Sequence, residues 1–237
     1  MTERTHPTGA PWRNFYGRRH GKTLRDSQKD ALENDLGPLV LDGAGWDENP
    51  NRTPLDPGAI FGGRKIWLEI GFGGGEHLVH LAGQHPEIGL IGCEPFINGV
   101  AMLLTKLRDA SLENVRIHPD DVRHLFDVLP DGSVDRAYLL YPDPWPKARH
   151  HRRRFVTPDH LQPLSRVLAA GAELRVATDI KDYVRQTMEE VPQQGFKLVT
   201  DPATGFRDPW PGWCETRYER KALREGRRPH YLIFRKT

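Results

Sequence analysis

From about residue 65 the chain repeats one rhythm: a short apolar run, a break, then a stretch with apolar residues at helical spacing. "KIWLEIGFGGGEHLVHLAGQHP" holds an apolar run, a glycine turn and a helical stretch that ends at Pro86. "IGLIGCEPF" predicts a second buried strand, followed by the helical "INGVAMLLTKLRDASL". "NVRIHPDD" and "SVDRAYLLYPDP" predict a third and a fourth strand, and "AELRVATDIKDYVRQTMEEV" a fifth that runs into a helix. Strands near "FKLVT" and "PHYLIFRKT" close the chain. Such alternation implies βαβ units, so the expected fold is α/β, a doubly wound, mostly parallel seven-stranded sheet with helices on both faces. Upstream, residues 1–30 read as a polar arm, and residues 39–63, dense in Gly, Pro, Asn and Asp, as an irregular linker. The expected division is a basic extension and linker over 1–60 and one domain over 61–237.

Length and composition are compatible with that fold. The 237 residues suffice for a sizeable core, and 37% hydrophobic with 28% charged residues is ordinary for a globular protein. No run approaches the roughly 18 apolar residues that span a bilayer, and the opening "MTERTHPTGAPWRNFYGRR" lacks the apolar run of a secretory signal. Two cysteines, Cys93 and Cys214, argue against a disulfide framework or a Cys-rich zinc site and favour a reducing cytosol. His77 and His80 fall on one helix face, but without a third ligand they read as solvated surface, and no metal is expected.

The net charge of +2 hides two basic patches. Lys147, Arg149, Arg152, Arg153 and Arg154 cluster without an acid, and residues 217–236 carry eight Lys/Arg against Glu219 and Glu225. Arg13, Arg18, Arg19, Lys22 and Arg25 add a basic leader. Separate cationic patches on an otherwise acidic body suit a phosphate-rich polymer, whose counterions they displace.

In open α/β sheets ligands bind beyond the carboxyl ends of the strands, and here each strand end carries a distinctive residue. Gly71, Gly73 and Gly75 follow the first strand and bring the backbone close to a ligand. Glu76 stands where the third glycine of a dinucleotide fingerprint belongs, and Glu69 would repel a pyrophosphate. Both departures favour a cationic cofactor such as S-adenosylmethionine over NAD. Glu94, ending the second strand, suits ribose hydroxyls in either case. Asp120 or Asp121, ending the third, suits an adenine amino group, unless it only caps a helix. The fourth strand ends in "YPDPWPKARHHRRRF", where Pro142, Pro144 and Pro146 hold Asp143 nearly fixed beside Trp145 and Lys147. A pocket for a base, rimmed by contacts to its phosphates, accounts for a fixed carboxylate next to dense positive charge.

The sequence resembles the bacterial tRNA (guanine-N(7)-)-methyltransferase family along nearly its whole length. "GRRHGKTLRDSQKDALE", "EIGFGGGE", "PDPWPKARHHRRR", "ATD" and "TRYERKALREGRRPHYLIF" carry the likeness, and the PDPW segment with its following K–RH is the most specific of them. The resemblance implies a Rossmann-like methyltransferase fold for residues 61–237 and S-adenosylmethionine as cofactor. It implies cofactor contacts from Glu69, Gly71, Gly73, Gly75, Glu94, Asp121 and Asp143, with Asp143 the active-site residue. Lys147, Asp179, Thr216, Arg217, Tyr218 and Glu219 would contact tRNA, and Arg149, His150, His151, Arg152, Arg153 and Arg154 would form an RNA-binding strip. Two positions depart from the family pattern: Ala148 stands where a cation is common, and Arg217 where lysine is usual. The family further implies methylation of the variable-loop guanosine at tRNA position 46; a cytoplasmic location and a monomer or homodimer without an obligate protein partner are expected.

Guanine N7 has an in-plane lone pair and no proton, so its methylation needs placement and water exclusion, not a general base. Three competing readings differ in what they predict. An exocyclic-amine methyltransferase would show Asn/Asp-Pro-Pro-aromatic, whereas Asp143 has one proline before Trp145. An NAD-linked oxidoreductase conflicts with Glu69 and Glu76. A non-catalytic RNA-binding protein leaves the strand-end acids without a purpose.

Overall fold

A computed structural model describes residues 9–237; the first eight residues of the expected extension lie outside the described residues. Seven strands form one sheet: β1 (Lys65–Ile70), β2 (Ile88–Cys93), β3 (Val115–His118), β4 (Val134–Leu140), β5 (Leu168–Thr178), β6 (Phe196–Leu198) and β7 (His230–Lys236). Their spatial order is β3-β2-β1-β4-β5-β7-β6. The first five pair in parallel, while β7 runs antiparallel between β5 and β6. Every residue of β2, and all of β1 after Lys65, is buried, which is why both read as unbroken apolar runs.

Among the described residues eight α-helices accompany the sheet: α1 (Asp26–Asn34), α2 (Pro57–Phe61), α3 (Glu76–Gln84), α4 (Ile97–Ala110), α5 (Val122–Val128), α6 (Pro158–Val167), α7 (Lys181–Glu190) and α8 (Arg217–Arg224). One core lies on the sheet face that carries Leu68, Ile91 and Leu174, beneath Leu125 of α5, Leu161 and Leu164 of α6 and Tyr183 of α7. The other packs Trp67, Leu90 and Tyr138 beneath Leu78 and Leu81 of α3 and Leu103 and Leu104 of α4. Both faces are therefore covered, as the strand–helix alternation requires. Ala31 of α1 joins the second core, and Leu41 and Ala44 of the irregular 39–63 stretch join the first.

The chain builds outward from β1 through β2 to β3, then returns to place β4 on the other side of β1. This reversal is the crevice where ligands of such sheets bind. It sets the glycine turn after β1 beside the proline-rich loop after β4. Apolar periodicity does not single out α1, α2, α5, α6 or α8. Helix α2, with five residues, presents too few turns for an apolar period to stand out, and α8 buries only Glu219 and Ala222.

Candidate active site

The glycine turn is held at two points. The Glu94 carboxylate accepts the Gly73 N–H at 2.7 Å with one oxygen and the Phe96 N–H at 2.9 Å with the other. From the first turn of α4, a Cβ on Gly99 would lie 2.2 Å from the Gly73 carbonyl oxygen and 3.3 Å from the Glu94 side chain. Only glycine lets that helix approach so closely. Burial pushes the Glu94 carboxyl up to about 7, and the nearby charge of Asp143 adds to the push; the Phe96 and Gly73 N–H groups and Arg217 oppose it. A displacement of that size corresponds to roughly 3 kcal/mol against the ionised form. Glu69 is also buried, with His77 Nδ1 2.8 Å from its Oε2. His77 thus departs from the expectation of a solvated surface residue: it is 2% exposed, because its ring orients the acid at the end of β1 and packs against Tyr138.

At the end of β3 the basic leader folds back over the body. Arg13 grips Asp127 with two bonds of 2.6 and 2.7 Å, Arg19 pairs with Asp120 at 2.6 Å, and the Arg19 carbonyl accepts the Ile97 N–H. Asn98 fixes the segment further through Gly21 N–H and the Lys22 carbonyl. Two of the five leader cations are therefore neutralised by the protein's own acids. Asp121 caps α5 through the Arg123 N–H at 3.0 Å and is clasped by the Arg123 guanidinium at 2.5 and 3.0 Å. Burial pushes the Asp121 carboxyl up, but Arg123's hydrogen bonds and charge outweigh it and hold the group below its ordinary value. Capping and a strand-end position thus coincide in Asp121.

The loop after β4 is strained and braced. Tyr141 has φ 48° and Trp145 φ 39°, the left-handed region that bulky residues avoid at a cost of about 1–3 kcal/mol each. Arg154 lies beneath the loop, 1% exposed, and donates to the Pro144 carbonyl at 2.8 Å, the Trp145 carbonyl at 3.4 Å and Gln186 at 2.9 Å, with an ion pair to Asp182 at 2.8 Å. Trp145 meets Tyr16 and His150 edge-on, and the Arg153 guanidinium lies 5.1 Å from the Trp145 ring and 4.9 Å from the Tyr16 ring. Asp143 stands at the crest of this braced loop. Among the described residues its carboxylate has neither a hydrogen-bond nor an ion-pair partner. The residue is exposed, yet the loops packed around it withdraw enough water to push its carboxyl above the ordinary range, against the pull of Arg18.

The remaining expected contacts divide into outward and inward groups. Lys147, Arg149 and Arg152 are exposed, and His150, His151 and Arg153 half-buried. Partial desolvation and the surrounding cations hold His150 below its ordinary value. Arg154 corrects the expected RNA strip: its guanidinium is buried under the loop, so it supports the strip and cannot reach RNA. Thr216 and Glu219 are likewise turned inward. Thr216 caps α8 through the Glu219 N–H, while the Glu219 carboxylate accepts Trp213 Nε1–H at 2.8 Å and the Tyr231 hydroxyl. That leaves Arg217 and Tyr218 as the outward part of the segment. Both lie over the glycine turn: a Cβ on Gly73 would meet the Tyr218 ring at 2.8 Å, and one on Gly74 the Arg217 guanidinium at 3.2 Å. Between Glu69, Phe72, Tyr141, Thr216 and Tyr218 they leave a cavity of only about 10 Å³, enough for roughly one water.

Gly99, Arg123 and Tyr16 are residues that sequence reasoning did not assign, and His77 and the buried Arg154 have roles other than those expected. Their roles depend on partners 2 to 137 positions away, and no local pattern announces such pairings. Only the tight Gly99, three residues into an otherwise apolar helix, left a trace. The donor set fits S-adenosylmethionine: buried carboxylates at the ends of β1 and β2 converge on a glycine turn and would attract a cofactor that carries positive charge. A molecule of that size is far larger than the cavity that Tyr218 lines beside the turn.

A family model described as "Putative methyltransferase" matches residues 63–232. The chain is 66% identical over 228 residues to the tRNA (guanine-N(7)-)-methyltransferase of Cereibacter sphaeroides, covering 96% of this chain and 93% of that protein. It is 66% identical over 227 residues to the enzyme of that name from Paracoccus denitrificans, covering 95% and 96%. Identity to the Rhodospirillum rubrum protein of that name is 47% over 225 residues, covering 94% and 87%. Among solved structures, a 16S rRNA (adenine(1408)-N(1))-methyltransferase of Catenulisporales acidiphilia with cosubstrate SAM aligns with TM-score 0.53 at 18% identity, covering 78% of this chain and 93% of that one. An antibiotic-related methyltransferase aligns with TM-score 0.53 at 18% identity, covering 83% and 98%. At such identity these two establish the fold alone. End-to-end likeness to the curated proteins, on a sheet whose strand ends carry the acids described above, establishes that the chain belongs to the tRNA (guanine-N(7)-)-methyltransferase family.

Proposed function

We infer that this protein transfers a methyl group from S-adenosylmethionine to N7 of a guanosine in tRNA, the activity its curated relatives are named for. The observation that carries the reading is Asp143, an unpartnered carboxylate on a strained, braced loop at the sheet's switch point. Bound at the glycine turn, the cofactor supplies an electrophilic methyl on a sulfonium. Glu94 would accept hydrogen bonds from its ribose, Glu69 would favour its positive end, and Asp121, backed by Arg123, would border the adenine. Asp143 accepts hydrogen bonds from the Watson–Crick edge of the guanine, which aims N7 and favours the positive charge that alkylation leaves on the ring. No proton leaves N7, so no side chain acts as a base. Because a stacked base cannot enter such a pocket, the nucleotide is turned out of the tRNA fold. Lys147, Arg149, Arg152 and Arg153 hold its backbone, with Arg217 and Tyr218 facing the site from the other side. We propose residues 61–237 as the catalytic domain, with residues 1–60 as basic extension and linker. Guanosine 46 of the variable loop is the proposed target, in the cytoplasm, by a monomer or homodimer. Among the described residues no helix is long and apolar enough to cross a membrane.

A tRNA transcript made with 7-deazaguanosine, which has C–H in place of N7, tests the assignment of the atom. It should bind like the ordinary transcript and take no methyl label. Equal labelling of both transcripts would refute N7 as the acceptor.

A further inference from the structure

Beyond the strip, a second basic feature lies on the same edge of the sheet. An open cavity of about 500 Å³ is lined by Asp179, Lys181, Arg207, Gly226, Arg227, Arg228 and His230. Four cations face one acid there, and no lining side chain is apolar. The Arg207 guanidinium is fixed by main-chain carbonyls, donating to Arg228 O at 3.0 Å and Pro229 O at 2.7 Å, so its orientation is set while its charge stays uncompensated. Among the described residues the Lys181 and Arg228 side chains have no hydrogen-bond or ion-pair partner. Arg227, by contrast, is engaged by Asp179 and Glu225. Asp179 is therefore occupied in holding an arginine at the cavity wall, which makes it a positioning residue there.

The place of the cavity narrows the ligand. Asp179 follows the last residue of β5 and His230 begins β7, which pairs antiparallel with β5, while β5 is the neighbour of β4. Strands are about 4.8 Å apart, so the cavity lies roughly one to two strand spacings from the loop that carries Asp143. The cavity is open to solvent, which leaves room for a chain to pass through it. We propose that Lys181, Arg207 and Arg228 form a phosphate-binding subsite that takes a backbone phosphate of the RNA within a nucleotide or two of the methylated guanosine. Uncompensated, preoriented guanidinium and ammonium groups are the chemistry of phosphate recognition. Burial, then the charges of Arg207 and Lys181, hold His230 below its ordinary value, against its bond to the Thr178 carbonyl and the charge of Asp179. An anion in the cavity reverses the effect of the two cations, so His230 reports occupancy.

The inference rests on the functional reading above, and the test separates the two. Lys181 and Arg228 are exposed, so the double variant K181A/R228A should fold normally, and an unchanged cofactor affinity would verify that. The full-length variant is compared with the wild type in tRNA binding across a salt series. The subsite predicts a tRNA Kd raised about tenfold and a slope of log K against log salt shallower by about 0.7 for each phosphate no longer neutralised. Equal Kd and slope in the two proteins would overturn it. In parallel, the His230 ring is titrated by NMR with and without tRNA, and with inorganic phosphate alone. A rise in its pKa with tRNA supports the subsite; a rise with millimolar phosphate but none with tRNA makes it a free-anion site and overturns the RNA assignment. A wild type that shows the tRNA effects yet transfers no methyl would sink the activity and leave the subsite standing.

Discussion

Glu94 is the residue whose protonation should be felt most directly. Its native carboxyl lies at about 7, above the ordinary 4.5, chiefly because it is buried. The native state therefore holds the proton more tightly than the unfolded chain. Glu94's contribution to stability is fully present below about pH 4.5 and is lost as pH rises through about 7. On the proposed contact, cofactor binding has the opposite sign, since ribose hydroxyls would donate to the ionised form. Affinity for S-adenosylmethionine should rise with pH through about 7 and then level, with about a tenfold deficit one unit below. Calorimetric titration between about pH 5.5 and 8.5, spanning that displaced value, checks this, and Glu94→Gln should flatten the profile at low affinity. A wild-type profile without that rise would contradict the role assigned to Glu94. The role proposed for Asp143 is different, one of orientation. Asp143→Asn keeps the shape and should lower kcat by on the order of 100-fold, while the Kd for cofactor stays within a few-fold. Turnover equal to wild type would remove Asp143 from the mechanism.

Among the elements, the loop after β4 divides its cations by depth. Arg154 and Arg152 are two residues apart in one basic run, yet one is buried against loop carbonyls and the other exposed. Arg154→Ala should cost about 2 kcal/mol through unsatisfied buried carbonyls and lower Tm by roughly 4–8 °C. Arg152→Ala should leave Tm unchanged and weaken tRNA binding, with a salt slope shallower by about 0.7–0.9. Thermal melts and binding isotherms on the two variants distinguish brace from contact. Composition could show that the segment is basic; which cation turns inward depends on Gln186 and Asp182 of α7, about thirty residues on. The same limit applies to Thr216 and Glu219, whose inward roles require Trp213 and the distant Tyr231. Strands β1 and β2 were legible because burial on both faces leaves unbroken apolar runs. Helix α8 was not, because its buried face is two residues wide.

For the whole molecule, the order of the sheet decides where the chemistry gathers. The reversal between β1 and β4 brings Glu69, Glu94 and Asp143 to one crevice although 74 positions separate the first from the last. The rule that ligands lie beyond strand ends made these acids readable from the sequence alone. What it could not convey was the leader's path: Arg13, Arg19 and Tyr16 close over that edge through partners more than a hundred residues away. The central claim, methyl transfer to guanine N7, is tested most directly on the product. Unmodified tRNA transcript is incubated with the protein and methyl-labelled S-adenosylmethionine, then reduced with borohydride and treated with aniline, which cuts the chain at 7-methylguanosine. A single cut at one guanosine, absent with Asp143→Ala, is the predicted result; label incorporated without any cut would place the methyl on another atom and contradict the account.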